Sequence, residues 1–436
     1  MYIHKIKLTN IRGFKNLEFD LQRKEDKSYA GWTVFTGDNG SGKSTLLKAI
    51  VMGLVGPDTT RSLQPNLNRW VNAFSEDKTA AIHLEVTSAA DDTSLDGGGP
   101  PPKRPFPVDL SLVNGGKQTE LFAPEKGTKK KSLPDRTIWS KNNSGWFSCG
   151  YGPFRRVFGA SSEATEIMMA RPTAPYATMF QEAASLSPAD RWLIDLDHKA
   201  SRDPTSREKE LLDVLLELLK DELMPNGMVV KRVDPDGLWL ADSRGVELSW
   251  RDMSDGYRAA LALLTDIFRH LCHTHEETSV SSLVERNAEG KMSVISSGVV
   301  LIDEIDAHLH PEWQREIGFW LKRHFPNVQF LVTTHSPIIC QAADPNGLFV
   351  LPEPGSELDP HALSDEDYRK IISSRPDTIL LTPAFGLKNT RSPRAVDARA
   401  EYSKLVAVRR AVGKLNPAEQ KLFEQLELFV DNDEAP

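Results

Sequence analysis

The chain is 436 residues long, 39% hydrophobic and 26% charged, which is ordinary for a globular protein and ample for a large buried core. Lys plus Arg number 53 against 61 Asp plus Glu, a net charge of −8, so a surface coated in cations is excluded although a local basic groove is not. Three widely spaced cysteines, Cys149, Cys272 and Cys340, form no CxxC pair, which argues against a disulfide frame or structural zinc site. The first residues alternate rather than run apolar, and no stretch of 18 apolar residues occurs. The expectation is a cytoplasmic protein with no leader and no membrane span.

Period-two alternation predicts strands over 2–8 and 17–21 with a turn at Gly13, and a third strand over 32–36 runs into glycines. Helical spacing follows over 45–55, and another alternating strand over 80–87. Residues 88–107 hold three consecutive Gly and three consecutive Pro and read as a surface insert. The stretch 124–145, with Lys126, Lys129, Lys130 and Lys131, reads as a solvated loop or as a nucleic-acid contact. Residues 185–224 are predicted helical, with Leu211, Leu212, Leu215, Leu216, Leu218 and Leu219 on one broad face. Asp234-Pro235-Asp236-Gly237 turns a hairpin between 228–233 and 238–241, and polar residues 276–293 read as a loop. The continuous apolar run 298–302 predicts a strand buried on both faces of a parallel sheet, with 328–333 its neighbour and helix 312–325 the crossover. The tail, 394–432, is helical by spacing.

Gly37-Asp38-Asn39-Gly40-Ser41-Gly42-Lys43-Ser44 fits GxxxxGK[ST], placed after a strand and opening a helix, as a phosphate-binding loop must be. Backbone N–H groups there can face phosphate oxygens, with Asn39, Gly40, Gly42, Lys43, Ser44 and Thr45 as the nucleotide-binding set and the Ser44 hydroxyl on Mg2+. The strand 299–302 ends in Asp303-Glu304, a Walker B arrangement in which Asp303 holds Mg2+ through water and Glu304 polarises the attacking water. Thr333-Thr334-His335-Ser336-Pro337 follows the next apolar strand, and His335 at its tip can reach a γ-phosphate.

Asp303-Glu304-Ile305-Asp306-Ala307-His308-Leu309-His310-Pro311 followed by TTHSP resembles the SMC/RecF-like branch of ABC-type ATPases. It is similar to the AAA-15 or AAA-21 type ATPases of bacterial antiphage systems, such as Septu-like or PARIS-like systems. Leu8-Thr9-Asn10-Ile11-Arg12-Gly13-Phe14 matches the opening of that branch, which implies that Arg12 touches nucleotide phosphate. Trp250-Arg251-Asp252-Met253-Ser254-Asp255-Gly256-Tyr257-Arg258 matches its signature motif, with Met253, Asp255 and Tyr257 replacing the usual residues. The resemblance implies that Ser254 and Gly256 contact the γ-phosphate of ATP on a second protomer, with Ser254 as N-cap of a helix over 259–270. Gln181 stands where a Q-loop ligand to the metal would, and reads equally as a surface Gln. Tyr151-Gly152-Pro153-Phe154-Arg155-Arg156 resembles a recurring stretch, its arginines either near phosphate or solvated.

The implied fold class is α/β: a P-loop NTPase with an ABC-type head, a mainly parallel sheet core, an N-terminal antiparallel β lobe and a helical lobe. The expected domains are 1–180, with the P-loop and the insert near 88–107; 181–270, helical with the signature; 294–350, the Walker B half; and 351–436, a helical cap or partner-docking region. The roughly 200 residues between Thr45 and Met253 carry no heptad arm, which argues against a true SMC protein. Asp365-Glu366-Asp367 lacks the preceding strand that a TOPRIM-type nuclease needs. His270, Cys272, His273 and His275 do not share a helix face and read as a helix end. The leading expectation is an ATPase using ATP and Mg2+, acting as a homodimeric sensor or scaffold that regulates an effector nuclease encoded nearby. A RecF-like repair ATPase that clamps DNA, and an autonomous OLD-like nuclease, are the alternatives.

Overall fold

The computed structural model describes residues 1–427 apart from 93–94, 97, 125–130, 141–144, 222–223, 225–226, 354–355 and 357. The strands run in chain order Tyr2–Ile11 (β1), Phe14–Asp20 (β2), Gly31–Thr36 (β3), Thr79–Thr87 (β4), Phe106–Asn114 (β5), Thr119–Phe122 (β6), Ser148–Tyr151 (β7) and Val229–Asp234 (β8). Gly237–Ala241 (β9), Glu247–Ser249 (β10), Val284–Arg286 (β11), Met292–Val294 (β12), Gly298–Ile302 (β13), Val328–Thr333 (β14), Leu348–Val350 (β15) and His361–Ala362 (β16) follow. They fall into two principal units, an antiparallel sheet ordered β2-β1-β4-β5-β6 and a sheet ordered β16-β15-β3-β14-β13-β7, parallel except at β16.

The sequence accounts for this division. β3, β13 and β14 are buried at every residue, as strands covered on both faces must be, whereas β4 and β5 alternate. The helix Lys43–Leu63 lies between the two sheets: Leu46, Leu47, Ile50 and Val51 share one core with Ile6, Leu84 and Leu110 and with Leu301 and Leu331. Each such fully buried side chain contributes about 1.5–3 kcal/mol. The helix breaks at Gly56, whose φ of 76° no helix contains, and Pro57 restarts it. Gln329 ties the sheets directly, its Nε2 donating to Ile3 O at 3.0 Å while its Oε1 accepts from Ile3 N at 2.8 Å.

A helical layer covers the β13 side. Ser187–Arg202 and Arg207–Lys220 pack together, and Asp255–Thr274 is buried at every position from Ala259 to Cys272. A helix buried all round must neutralise its own polar groups. Here Asp266 Oδ1 accepts from Arg269 Nε at 2.8 Å, His270 Nε2 lies 3.3 Å from Asp266 Oδ2, and Tyr151 Oη donates to the same carboxylate at 3.1 Å.

Several expectations change. The insert near 88–107 is not wholly surface: Asp92 is buried, accepting from the Trp146 amide at 2.9 Å, and Phe106 already belongs to β5. Strands β5 and β6 stand where no strand was expected, although Phe106, Val108, Leu110 and Leu112 alternate with outward-facing residues and are buried. Residues 276–293 include one strand of a hairpin and begin the other, β11 paired antiparallel with β12. The expected helical lobe contains the three-stranded sheet β10-β9-β8, two strands of which form the anticipated hairpin. The cluster does close a helix, with His273 in its last turn and His275 at its C-cap, but His270 lies further in and joins the buried network, where burial lowers its pKa. Lys131 pairs with Asp96 at 3.1 Å, while Lys126, Lys129 and Lys130 lie outside the described residues.

Compact units divide at 376/377 rather than near 350, because β15 lies beside β3 and β16 beside β15 in the main sheet. Asp365-Glu366-Asp367 open the helix Asp365–Ser373, capped by Ser364. The second unit, Asp377–Pro436, has the helices Pro393–Val412 and Pro417–Glu427 around Ala398, Leu405, Phe423 and Leu426. Among the described residues no helix is long and apolar enough to cross a membrane.

Candidate nucleotide site

The sheet order places the site. β14 lies between β3 and β13, so the loop leaving β3 and the acids leaving β13 emerge at one edge on either side of Thr333. The β3 loop needs its glycines: Gly40 has a φ of 83°, and Gly42, at 96°, meets the Phe14 ring so closely that an added Cβ would lie 2.5 Å from Cζ. Lys43 curls back over the loop, its Nζ donating to Gly37 O at 2.8 Å and Asp38 O at 3.0 Å. Burial lowers the Lys43 pKa, and Asp303, Glu304, Asp38 and Asp306 oppose that shift, so the ammonium sits in the field of the acidic turn. Ser41 Oγ is buried in the same loop with no hydrogen-bond partner among the described residues, and Ser44 is half-buried in the first helical turn. An orphan donor beside a buried cation fits a bound oxyanion.

Asp303 is 1% exposed and is fixed by Thr333, whose Oγ1 donates to Asp303 Oδ1 at 2.6 Å and accepts from the Glu304 amide at 2.7 Å. Glu304 has a φ of 47°, costly for any residue with a Cβ, and its half-buried carboxylate has no hydrogen-bond partner among the described residues. Thr334 Oγ1 donates to Asp306 Oδ1 at 2.5 Å and Ser336 Oγ to Gln314 Oε1 at 2.7 Å. His335, between them, is exposed at the strand tip. Arg12, at a φ of 47°, lies 4.3 Å over the Trp70 ring and donates to Thr45 Oγ1 at 3.3 Å, while burial lowers its pKa.

The structure thus gathers Arg12, Lys43, Ser44, Thr45, Asp303 and Glu304 at one edge. Gln181 is engaged elsewhere, its Nε2 donating to Leu63 O at 3.1 Å, and the neighbouring Phe180 ring lies 5.7 Å below Lys48 Nζ. Ser254 occupies the N-cap position of Asp255–Thr274, but its exposed side chain makes no capping bond. Gly256 packs on the acidic turn, where a Cβ would lie 2.3 Å from His308 O. Arg156 is exposed, whereas Arg155 is neither solvated nor turned to the loop at 37–44: it is buried against the carbonyls of Asp303 and Glu304. Sequence reading gave Thr333 no role and left Arg155 either near phosphate or solvated; the hydroxyl that ends the apolar strand β14, one strand over from the acids, was the available signal for Thr333.

A parallel sheet with a P-loop after one strand, an acidic pair two strands away, an antiparallel β lobe and a helical layer define a P-loop ATPase head of the ABC type. The chain belongs to the AAA_21 family, described as "AAA domain, putative AbiEii toxin, Type IV TA system", whose profile matches residues 32–341. It is similar to the Septu protein PtuA of Bacillus mycoides, 25% identical over 345 residues, covering 77% of this chain and 38% of that protein. It is also similar to the Retron Ec83 probable ATPase of Escherichia coli, 39% identical over 112 residues, covering 26% of this chain and 18% of that protein. The chain therefore spans well under half the length of these relatives. An Smc head bound to the C-winged helix domain of ScpA aligns with a TM-score of 0.48 at 16% identity, covering 84% of this chain and 99% of that one.

Proposed function

We propose that the chain binds and hydrolyses ATP with Mg2+, and that nucleotide state drives pairing of two copies. The observation that carries this reading is the convergence of Lys43, Asp303 and Glu304 on either side of Thr333. ATP would supply the γ-phosphoryl group and Mg2+, when bound, the neutralising charge; Ser44 and Asp303 would hold the ion, with Gln181 an added ligand only if its amide leaves Leu63 O. Lys43 exchanges its two loop carbonyls for phosphate oxygens, and Arg12 adds a second cation beside Thr45. Glu304 accepts the proton of the attacking water, and His335 donates to the phosphate. Ser254 and the Gly256 amide, at an uncapped helix start, meet the nucleotide of the other copy.

The likeness to PtuA and to a retron ATPase supports a role in antiphage defence, with the ATP-bound pair holding an effector nuclease encoded nearby in check. The test is turnover and light scattering on the purified chain. Glu304→Gln is expected to lose about 100-fold or more in kcat yet bind ATP and elute as a dimer with it. Ser254→Arg in that background is expected to remain monomeric. Unchanged turnover in Glu304→Gln would falsify the mechanism. For the cellular role, plating with phage in the presence of the neighbouring gene compares the parent with Lys43→Ala, and equal protection by both overturns it.

A further inference from the structure

Arg155 is 4% exposed and forms no salt bridge with any described carboxylate within 4.0 Å. Its guanidinium is instead spent on main-chain oxygens. Nη1 donates to Gly152 O at 3.1 Å and Asp303 O at 2.8 Å; Nη2 donates to Glu304 O at 2.9 Å, Ile305 O at 3.3 Å and Ala307 O at 3.1 Å. Four of these five acceptors belong to the turn that carries the acidic pair, and Glu304 within it has a left-handed φ of 47°. Burial pushes the Arg155 pKa down to about 10 against the opposing fields of Asp306, Asp303 and Glu304. A planar fork suits this task, since converging carbonyls need several donors in fixed directions, which an ammonium on a flexible stem does not supply.

We propose that Arg155 is a positioning residue for Glu304, holding the 303–307 turn in the strained form that presents the carboxylate to water. The peptide groups on both sides of Glu304 are then fixed: its N–H by Thr333 Oγ1 at 2.7 Å and its C=O by Arg155. With both ends held, the Cα–Cβ direction has no freedom, and the left-handed backbone cannot relax into an extended form. This proposal rests on the reading of Glu304 as the group that activates water.

Two measurements on the full chain separate the proposal from that reading. In steady-state ATP turnover, Arg155→Lys is expected to lower kcat about tenfold or more while KM and the affinity for a fluorescent ATP analogue stay within about twofold. Arg155→Ala is expected to lose as much and to regain part of it when guanidinium chloride is added at millimolar concentration. Equal kcat in Arg155→Lys, or no recovery of Arg155→Ala by guanidinium, overturns the proposal. The second measurement needs no turnover: amide exchange in a peptide spanning 303–308 is expected to accelerate about tenfold in Arg155→Lys, with the 37–44 loop unchanged. Unaltered exchange there overturns Arg155's hold on the turn. Absence of turnover in the parent chain overturns the ATPase reading instead.

Discussion

Thr333 shows how much one hydroxyl carries at this edge. It donates to Asp303 and accepts from the Glu304 amide, so its loss strands a buried carboxylate oxygen and a partly buried N–H at once. Each orphan costs about 1–3 kcal/mol, so Thr333→Val is expected to lower unfolding stability by about 2 kcal/mol or more, read from urea midpoints. Thr333→Ser keeps both bonds and loses one methyl, about 1 kcal/mol. Gly42 is the contrasting case, a position where adding atoms is harmful. Gly42→Ala combines a φ of 96° with a methyl against the Phe14 ring. Destabilisation by about 1–3 kcal/mol is expected, with weaker binding of a fluorescent nucleotide as the second readout.

At the level of elements, the helix Asp255–Thr274 behaves as a core rod with an ion cluster inside it. Burial works against the Asp266 charge, yet Arg269 and His270 outweigh it and hold the carboxyl well below its ordinary pKa. Asp266→Asn leaves Arg269 uncompensated and is expected to cost about 3–5 kcal/mol, measured as a lower unfolding midpoint. Sequence reading found those elements whose chemistry is local: the glycine-rich loop, the continuous apolar strands β13 and β14, and the turn at Asp234–Gly237. It missed β5, although Phe106, Val108, Leu110 and Leu112 alternate there, because the Gly- and Pro-rich run before it reads as a surface insert through 107, and β6 is only four residues long and pairs with β5. It singled out Arg155 but placed it near phosphate or in solvent, not against the acidic turn. An arginine is read by default as a surface charge, and only the tertiary fold shows carbonyls converging on it. The helix 45–55 was found but not its continuation, since a reversal at Gly56 brings Thr60 Oγ1 back to Met52 O at 3.5 Å and needs a long-range neighbour, Trp139, to settle it.

For the whole molecule, the pH dependence of stability follows from buried histidines. Burial lowers the pKa of His270, His275 and His324, so below about pH 6.5 the unfolded chain binds protons that the folded chain refuses. Stability is expected to be level from pH 8 to 7 and to fall below about pH 6.5, by up to about 1.4 kcal/mol per unit for each histidine. A second decline belongs below about pH 4. Burial opposes the charge of Asp91, Asp221 and Asp266, but their partners hold each pKa down, so the stabilisation they give is present above the ordinary carboxylate pKa and lost beneath it. Urea midpoints between pH 8 and pH 3 check both windows. The Gln329 clasp has a mechanical meaning. It joins β1, which leads to Arg12, to β14, which leads to Thr333, by two buried bonds acting like a dovetail. The wall on which phosphate would rest cannot split along that seam without stranding a carboxamide. Motion is then expected in the helical layer, whose Gly256 packs on the same turn, between Glu304 and His308, that Arg155 holds from the sheet side.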